Sequence, residues 1–127
     1  DSRLYVISNG MIRQVTQDHS LVEEMIKNGD ITRSEARFHP NKNIITRALG
    51  AGSEVIPDFF EVTLHENNII LMCSDGLSNM IDDDEIFKLA EGKEDLESIA
   101  ATLVNTANEN GGKDNISVVL VKYETQE

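Results

Sequence analysis

One cysteine, two prolines and no tryptophan occur in this 127-residue chain, and only 11 of its residues are basic. A lone Cys73 forbids an internal disulfide framework, and without a Cys-x-x-Cys pair there is no thiolate zinc site. Eleven Lys and Arg against 23 Asp and Glu leave a net charge of −12, which disfavours nucleic acid because neutralising phosphates needs clustered cations. No apolar run approaches the roughly 18 residues that span a bilayer, and no basic stretch leads into an apolar one at the amino terminus. The expectation is a cytoplasmic protein with no membrane span. Enough apolar residues remain for a core, since 39% of the chain is hydrophobic and its length is that of one domain, so a single compact unit is expected.

Asp1-Ser2-Arg3 runs straight into the strand-like Leu4-Tyr5-Val6-Ile7, as though cut from a longer sequence. Asn9-Gly10 then predicts a tight hairpin turn into Met11–Val15, because this dipeptide supplies positive φ angles. From Ser20 to Arg37 the period changes: Ser20 with Glu23, and Thr32 with Glu35, have the spacing of capping boxes. Two short helices follow, the first burying Leu21, Met25 and Val22 and ending at Gly29, the second stopped by His39-Pro40. They read as an insertion between strands. Phe59–Leu64 and Asn68–Cys73 read as two strands, and the unbroken apolar run Ile69–Cys73 predicts burial on both faces.

A short helix is expected from near Asp82 and a longer one over 95–108, where Leu96, Ile99, Ala100, Leu103, Val104 and Ala107 form one apolar stripe. The β-branched run Ile116–Val121 suits a central strand. Strands and helices mix without strict alternation, which argues for an α+β fold with a mostly antiparallel sheet and helices packed outside it. There is no internal repeat, low-complexity segment or linker.

Three aspartates stand at strand ends: Asp1 before the first strand, Asp75 before Gly76 after the buried strand, and Asp114 before the last. If the strand ending at Cys73 pairs antiparallel with the one that starts at Ile116, Asp75 and Asp114 fall on one sheet edge. Asp1 joins them if its own strand is antiparallel to the first of these. Gathered carboxylates repel one another unless protonated or bound to a divalent cation, and without His or Cys among them a hard ion such as Mg²⁺ or Mn²⁺ fits best.

Five segments, Asp1-Ser2-Arg3-Leu4-Tyr5, Thr16-Gln17-Asp18-His19-Ser20, Ile45-Thr46-Arg47-Ala48-Leu49-Gly50, Leu71–Leu77 with its Ser74-Asp75-Gly76, and Gly111–Val119 with Gly111-Gly112-Lys113-Asp114-Asn115, resemble successive motifs of the type-2C metal-dependent serine/threonine protein phosphatases. The match runs in the family's order to Tyr123, and its wording is closest to bacterial members. The resemblance implies the carboxyl-terminal half of a four-layer α-β-β-α sandwich, with two Mn²⁺ or Mg²⁺ ions in a cleft that activate water for direct attack on phosphorus. By position, Asp75 and Asp114 match metal ligands, and Asp1 with Asp75 the pair that holds a third ion in bacterial members. Asn115 and Gly76 fall beside the ligands. The substrates implied are phosphoserine and phosphothreonine proteins, the products of a serine/threonine kinase.

The resemblance also exposes a gap, because the family's other ligands, its phosphate-binding arginine and its Asp-Gly-His-Gly histidine belong before the point where this chain begins. His19 reads as a structural hydrogen-bonding residue, His39 as a turn residue and His65 as an exposed strand-end residue. The helical insertion over about 20–43 matches the family's flap, where Arg33 and Arg37 are candidates for contact with substrate, against the plainer reading of solvated helix arginines. Cysteine-dependent phosphatase chemistry is excluded, because Asn79 stands where the phosphate-binding arginine is needed. The run Asp82-Asp83-Asp84-Glu85 is no EF-hand, because Phe87 occupies the glycine position. The alternative in a different class is a phosphatase-like module that binds partners without turnover. The isolated chain is expected to be inactive.

Overall fold

The computed structural model describes residues 1–48, 50, 52–93 and 95–124; Leu49 of the Thr-Arg-Ala-Leu-Gly segment lies outside the described residues. Where length suggested one unit, the chain divides into two compact parts, Asp1 with Gln17–Phe60, and Ser2–Thr16 with Glu61–Glu127.

In the larger part, the opening alternation forms β1 (Arg3–Ser8) and, across Asn9-Gly10, β2 (Met11–Gln14), with Ser8 opposite Met11. Only Gly10 of the two turn residues has a positive φ, at 82°, so the turn differs from the expected one in which both central residues are left-handed. β1 pairs antiparallel with β3 (Ile69–Cys73), which pairs antiparallel with β4 (Val118–Lys122), giving the order β2-β1-β3-β4. β4 therefore lies at an edge of this sheet and not at its centre. Its β-branched residues reflect fit to a pleated, half-buried surface, which does not distinguish edge from centre.

Three helices cover one face: α3 (Asp75–Ser78), α4 (Asp83–Ala90) and α5 (Leu96–Glu109). Asp82 and Asp95 cap α4 and α5 through side chains that accept from Glu85 N and Glu97 N. Ile99, Leu103 and Ala107 of α5 are fully buried and pack with Tyr5, Leu71 and Leu77 in one core. Burial of each large aliphatic side chain there contributes about 1.5 to 3 kcal/mol. Tyr5 ties β1 to α4, its hydroxyl donating to Asp83 Oδ1 at 2.8 Å and accepting from Arg3 Nη1 at 2.9 Å. Burial pushes the Tyr5 phenol well above its ordinary pKa and outweighs the opposing effect of Arg3, so the hydroxyl keeps the proton that it donates.

The opposite face alternates with the first, and Met72, Val119 and Val121 on it are 40%, 53% and 46% exposed. β3 is thus buried on one face, where two-sided burial was expected, because the described helices of this part cover one side. The chain is mixed α+β, and among the described residues this part has one antiparallel sheet with one layer of helices. The expected strand Phe59–Leu64 also departs from the sequence reading: residues 54–65 form no regular element. Alternating side chains alone do not make a strand, and this segment has no ladder partner among the described residues.

In the smaller part, α1 (Leu21–Lys27) begins at Ser20, whose hydroxyl accepts from Glu23 N at 3.2 Å, and α2 (Arg33–Arg37) begins at a complete Thr32/Glu35 capping box. The first box is only half formed. The Glu23 carboxylate instead takes both Arg33 Nη1 and Nη2, each at 3.1 Å, a bidentate pair that joins the two short helices. Val22 is the buried apolar residue of α1, with Leu21 and Met25 half-buried beside it.

Candidate metal centre

The ladder that fixes β1, β3 and β4 ends at one edge, where Arg3 faces Cys73 and Cys73 faces Val118. Asp75 follows Cys73 by two residues as the first residue of α3, and Asp114 precedes β4 on the neighbouring segment. Past the last register pair, the two segments remain joined: Ser74 N donates to Ser117 O at 3.0 Å, and Ser117 N donates to Ser74 Oγ at 3.0 Å. Ser74 Oγ donates in turn to Asn115 O at 3.2 Å. Gly76 packs against the same carbonyl so closely that a Cβ built on it would stand 2.0 Å from Asn115 O. Asp75 thus sits between two residues that both touch Asn115, the neighbour of Asp114. The antiparallel pairing of β3 and β4, on which a shared edge for Asp75 and Asp114 was conditional, is present.

Asp75 is half-buried and Asp114 exposed, with Asp114 Oδ1 accepting from Asn115 N at 2.7 Å. Asp1 belongs to the other compact part, and its Oδ1 is buried with no hydrogen-bond partner among the described residues. A buried carboxylate oxygen without a partner is costly, and a bound cation is one way to satisfy it. The donors are carboxylates only, the set preferred by Mg²⁺ or Mn²⁺ over softer ions. Among the described residues no three of His, Cys, Asp and Glu gather to hold an ion. The residues present fit a hard cation but make an incomplete shell.

Other candidates have different partners. Arg33 is held by Glu23, while Arg37 is half-buried on α2. His19 Nε2 lies 2.7 Å from Asp58 Oδ2, and Arg47 Nη1 donates to Asp58 Oδ1 at 2.9 Å. The hydrogen bond from His19, and then that from Arg47, holds the Asp58 carboxyl below its usual pKa. This agrees with the structural reading of His19. His39 Nδ1 accepts from Asn41 N at 3.0 Å, as suits a turn residue. Sequence reasoning missed α3 and the part played by Ser74. The serine before Asp75-Gly76 was a signal for a helix start, but nothing in the sequence marked where its hydroxyl goes.

No family model matches the chain. It is 43% identical over 122 residues to the serine/threonine phosphatase Stp of Listeria monocytogenes, covering 96% of this chain and 48% of that protein. It is 43% identical over 127 residues to the protein phosphatase PhpP of Streptococcus pneumoniae, covering 100% of this chain and 52% of that protein. Among solved structures, the catalytic domain of the phosphatase PstP in complex with two manganese ions superposes with a TM-score of 0.85 at 32% identity, over 98% of this chain and 51% of that one. The chain spans about half the length of the curated relatives it matches. Over nearly all of its own length and about half of theirs, the chain is therefore homologous to the bacterial type-2C serine/threonine phosphatases.

Proposed function

We propose that this chain is the carboxyl-terminal half of a bacterial type-2C catalytic domain and supplies Asp75 and Asp114 as metal ligands, with Asp1 as a further carboxylate for an additional ion. The observation that carries the proposal is the stitched edge at which Ser74 and Gly76 both meet Asn115. It joins the backbone segments that carry the two carboxylates, which lie far apart in sequence. When bound, Mn²⁺ or Mg²⁺ would lower the pKa of water to a range useful near neutral pH and offset the charge that develops on phosphoryl oxygens.

The residues of this chain hold and orient. Asp75 is fixed on its backbone by α3 and by Gly76. Asp114 is held by the hydrogen bond from Asn115 N to its Oδ1. The remaining ligands and the phosphate-binding groups come from the other half of the domain, which also covers the exposed sheet face of Met72, Val119 and Val121. The substrates are phosphoserine and phosphothreonine proteins made by a serine/threonine kinase, and the setting is the cytoplasm.

The test is Mn²⁺-dependent hydrolysis of a phosphothreonine peptide. The complete domain is expected to turn over and the 127-residue chain alone to be inert. Asp114→Ala in the complete domain should lower kcat/KM by about a thousandfold or more, in line with losing a group that acts only in the assembled site. Turnover unaffected by Asp114→Ala would remove the proposal. A complete domain that folds, binds phosphoprotein and never turns over would favour the partner-binding module.

A further inference from the structure

The β3–β4 ladder ends one residue short of the segments that matter, at Cys73 opposite Val118. Beyond it the Ser74 side chain adds two hydrogen bonds to the backbone contacts between the Asp75 and Asp114 segments. Ser74 occupies the N-cap position of α3, where a serine hydroxyl ordinarily accepts from a free amide of its own helix, yet it makes no capping hydrogen bond. Its hydroxyl is turned across the gap, accepting from Ser117 N at 3.0 Å and donating to Asn115 O at 3.2 Å. Its backbone N–H donates to Ser117 O at 3.0 Å, so this residue contributes three bonds to the neighbouring segment. From the other side, Gly76 is packed against Asn115 O. The Asn115 carbonyl is therefore gripped between the residue before Asp75 and the residue after it.

We propose that Ser74 is a positioning residue for the metal centre, its hydroxyl setting the separation of Asp75 and Asp114. The inference rests on the metal-centre reading above. Two features distinguish this role from general support of the fold. The hydroxyl forgoes the local cap that would stabilise α3, and both groups it bonds lie within three residues of Asp114. Ser117 and Asn115 are exposed, so water can replace the lost bonds when the hydroxyl is removed, and the fold should tolerate its loss. What water does not replace is a fixed distance between the two carboxylate-bearing segments.

The experiment compares the complete domain as wild type, Ser74→Ala, Ser74→Thr and Asp114→Ala, with Mn²⁺ dissociation constants read from the electron paramagnetic resonance of free Mn²⁺, alongside melting temperatures. Loss of a group that orients metal ligands typically weakens metal binding roughly 10- to 100-fold, and Ser74→Ala is expected in that range with its melting temperature nearly unchanged. Ser74→Thr keeps the hydroxyl and should bind Mn²⁺ close to wild type. Wild-type Mn²⁺ affinity in Ser74→Ala would overturn the positioning role, as would equal weakening in the alanine and threonine variants. If wild type and Asp114→Ala bind Mn²⁺ equally poorly, the metal-centre reading itself fails, and the role of Ser74 falls with it.

Discussion

Gly76→Ala in the complete domain is expected to lower kcat/KM by at least about a hundredfold, because a misplacement of about 1 Å in a catalytic arrangement has an effect of that size. The cause is steric and local. Gly76 lies in α3 with an ordinary helical backbone, so alanine meets no conformational penalty there. The added Cβ, however, would fall 2.0 Å from Asn115 O and 2.9 Å from Asn115 C. Both are backbone atoms of the segment that carries Asp114, and neither can rotate away as a side chain would. The segments must part by at least about 1.4 Å to reach ordinary van der Waals separation. That displacement acts directly on the spacing of Asp75 and Asp114. Overpacking of this kind costs about 1 to 3 kcal/mol, so the variant should still fold with a lowered melting temperature. Wild-type kinetics and melting in Gly76→Ala would show that the close approach does not constrain the site.

Leu103→Asp is expected to abolish cooperative folding. Leu103 is fully buried in the middle of α5, against the core that Tyr5, Leu71 and Leu77 share with the sheet. The substitution removes apolar contact and places a carboxylate among buried apolar side chains, a combination that exceeds about 4 kcal/mol. A whole domain has only about 5 to 15 kcal/mol of stability, so little or none would remain. Asn105→Asp, two residues on at an exposed position of the same helix, should leave the melting transition almost unmoved. Circular dichroism through a thermal ramp checks both, and a retained sharp transition in Leu103→Asp would contradict the placement of α5.

Local signals in the sequence predict the elements that stabilise themselves. Asp95, the apolar stripe and the glycine pair after Asn110 mark α5 almost to the residue, and Thr32 with Glu35 forms the complete capping box that its spacing implies. The hairpin also follows from pattern, whereas the antiparallel pairing of β3 with β1 and β4 entered only as a condition. What escapes are features that depend on neighbours distant in the chain. Phe59–Leu64 alternates like a strand, but a strand exists only with a partner, and this segment has none among the described residues. Ile70 and Met72 are as apolar as Leu71, so sequence could not tell that one face of β3 would be covered and the other left open. The Glu23 carboxylate leaves its capping box because Arg33, ten residues on, offers a bidentate partner.

The site divides in the same way. Asp75 and Asp114 are recognisable as strand-end carboxylates, and antiparallel pairing brings them to one edge. The contact that fixes their spacing, between Ser74, Gly76 and Asn115, is tertiary and appears only once the two segments are side by side. Asp1 keeps a buried oxygen, without a hydrogen-bond partner among the described residues, that no local pattern predicts.

The most direct test of the central claim is anomalous diffraction at the manganese edge from crystals of the complete domain grown with Mn²⁺. An anomalous peak is expected within about 2.5 Å of carboxylate oxygens from both Asp75 and Asp114, the range of oxygen ligands of hard divalent cations. Manganese bound elsewhere, or no peak beside these two residues at saturating Mn²⁺, would contradict it.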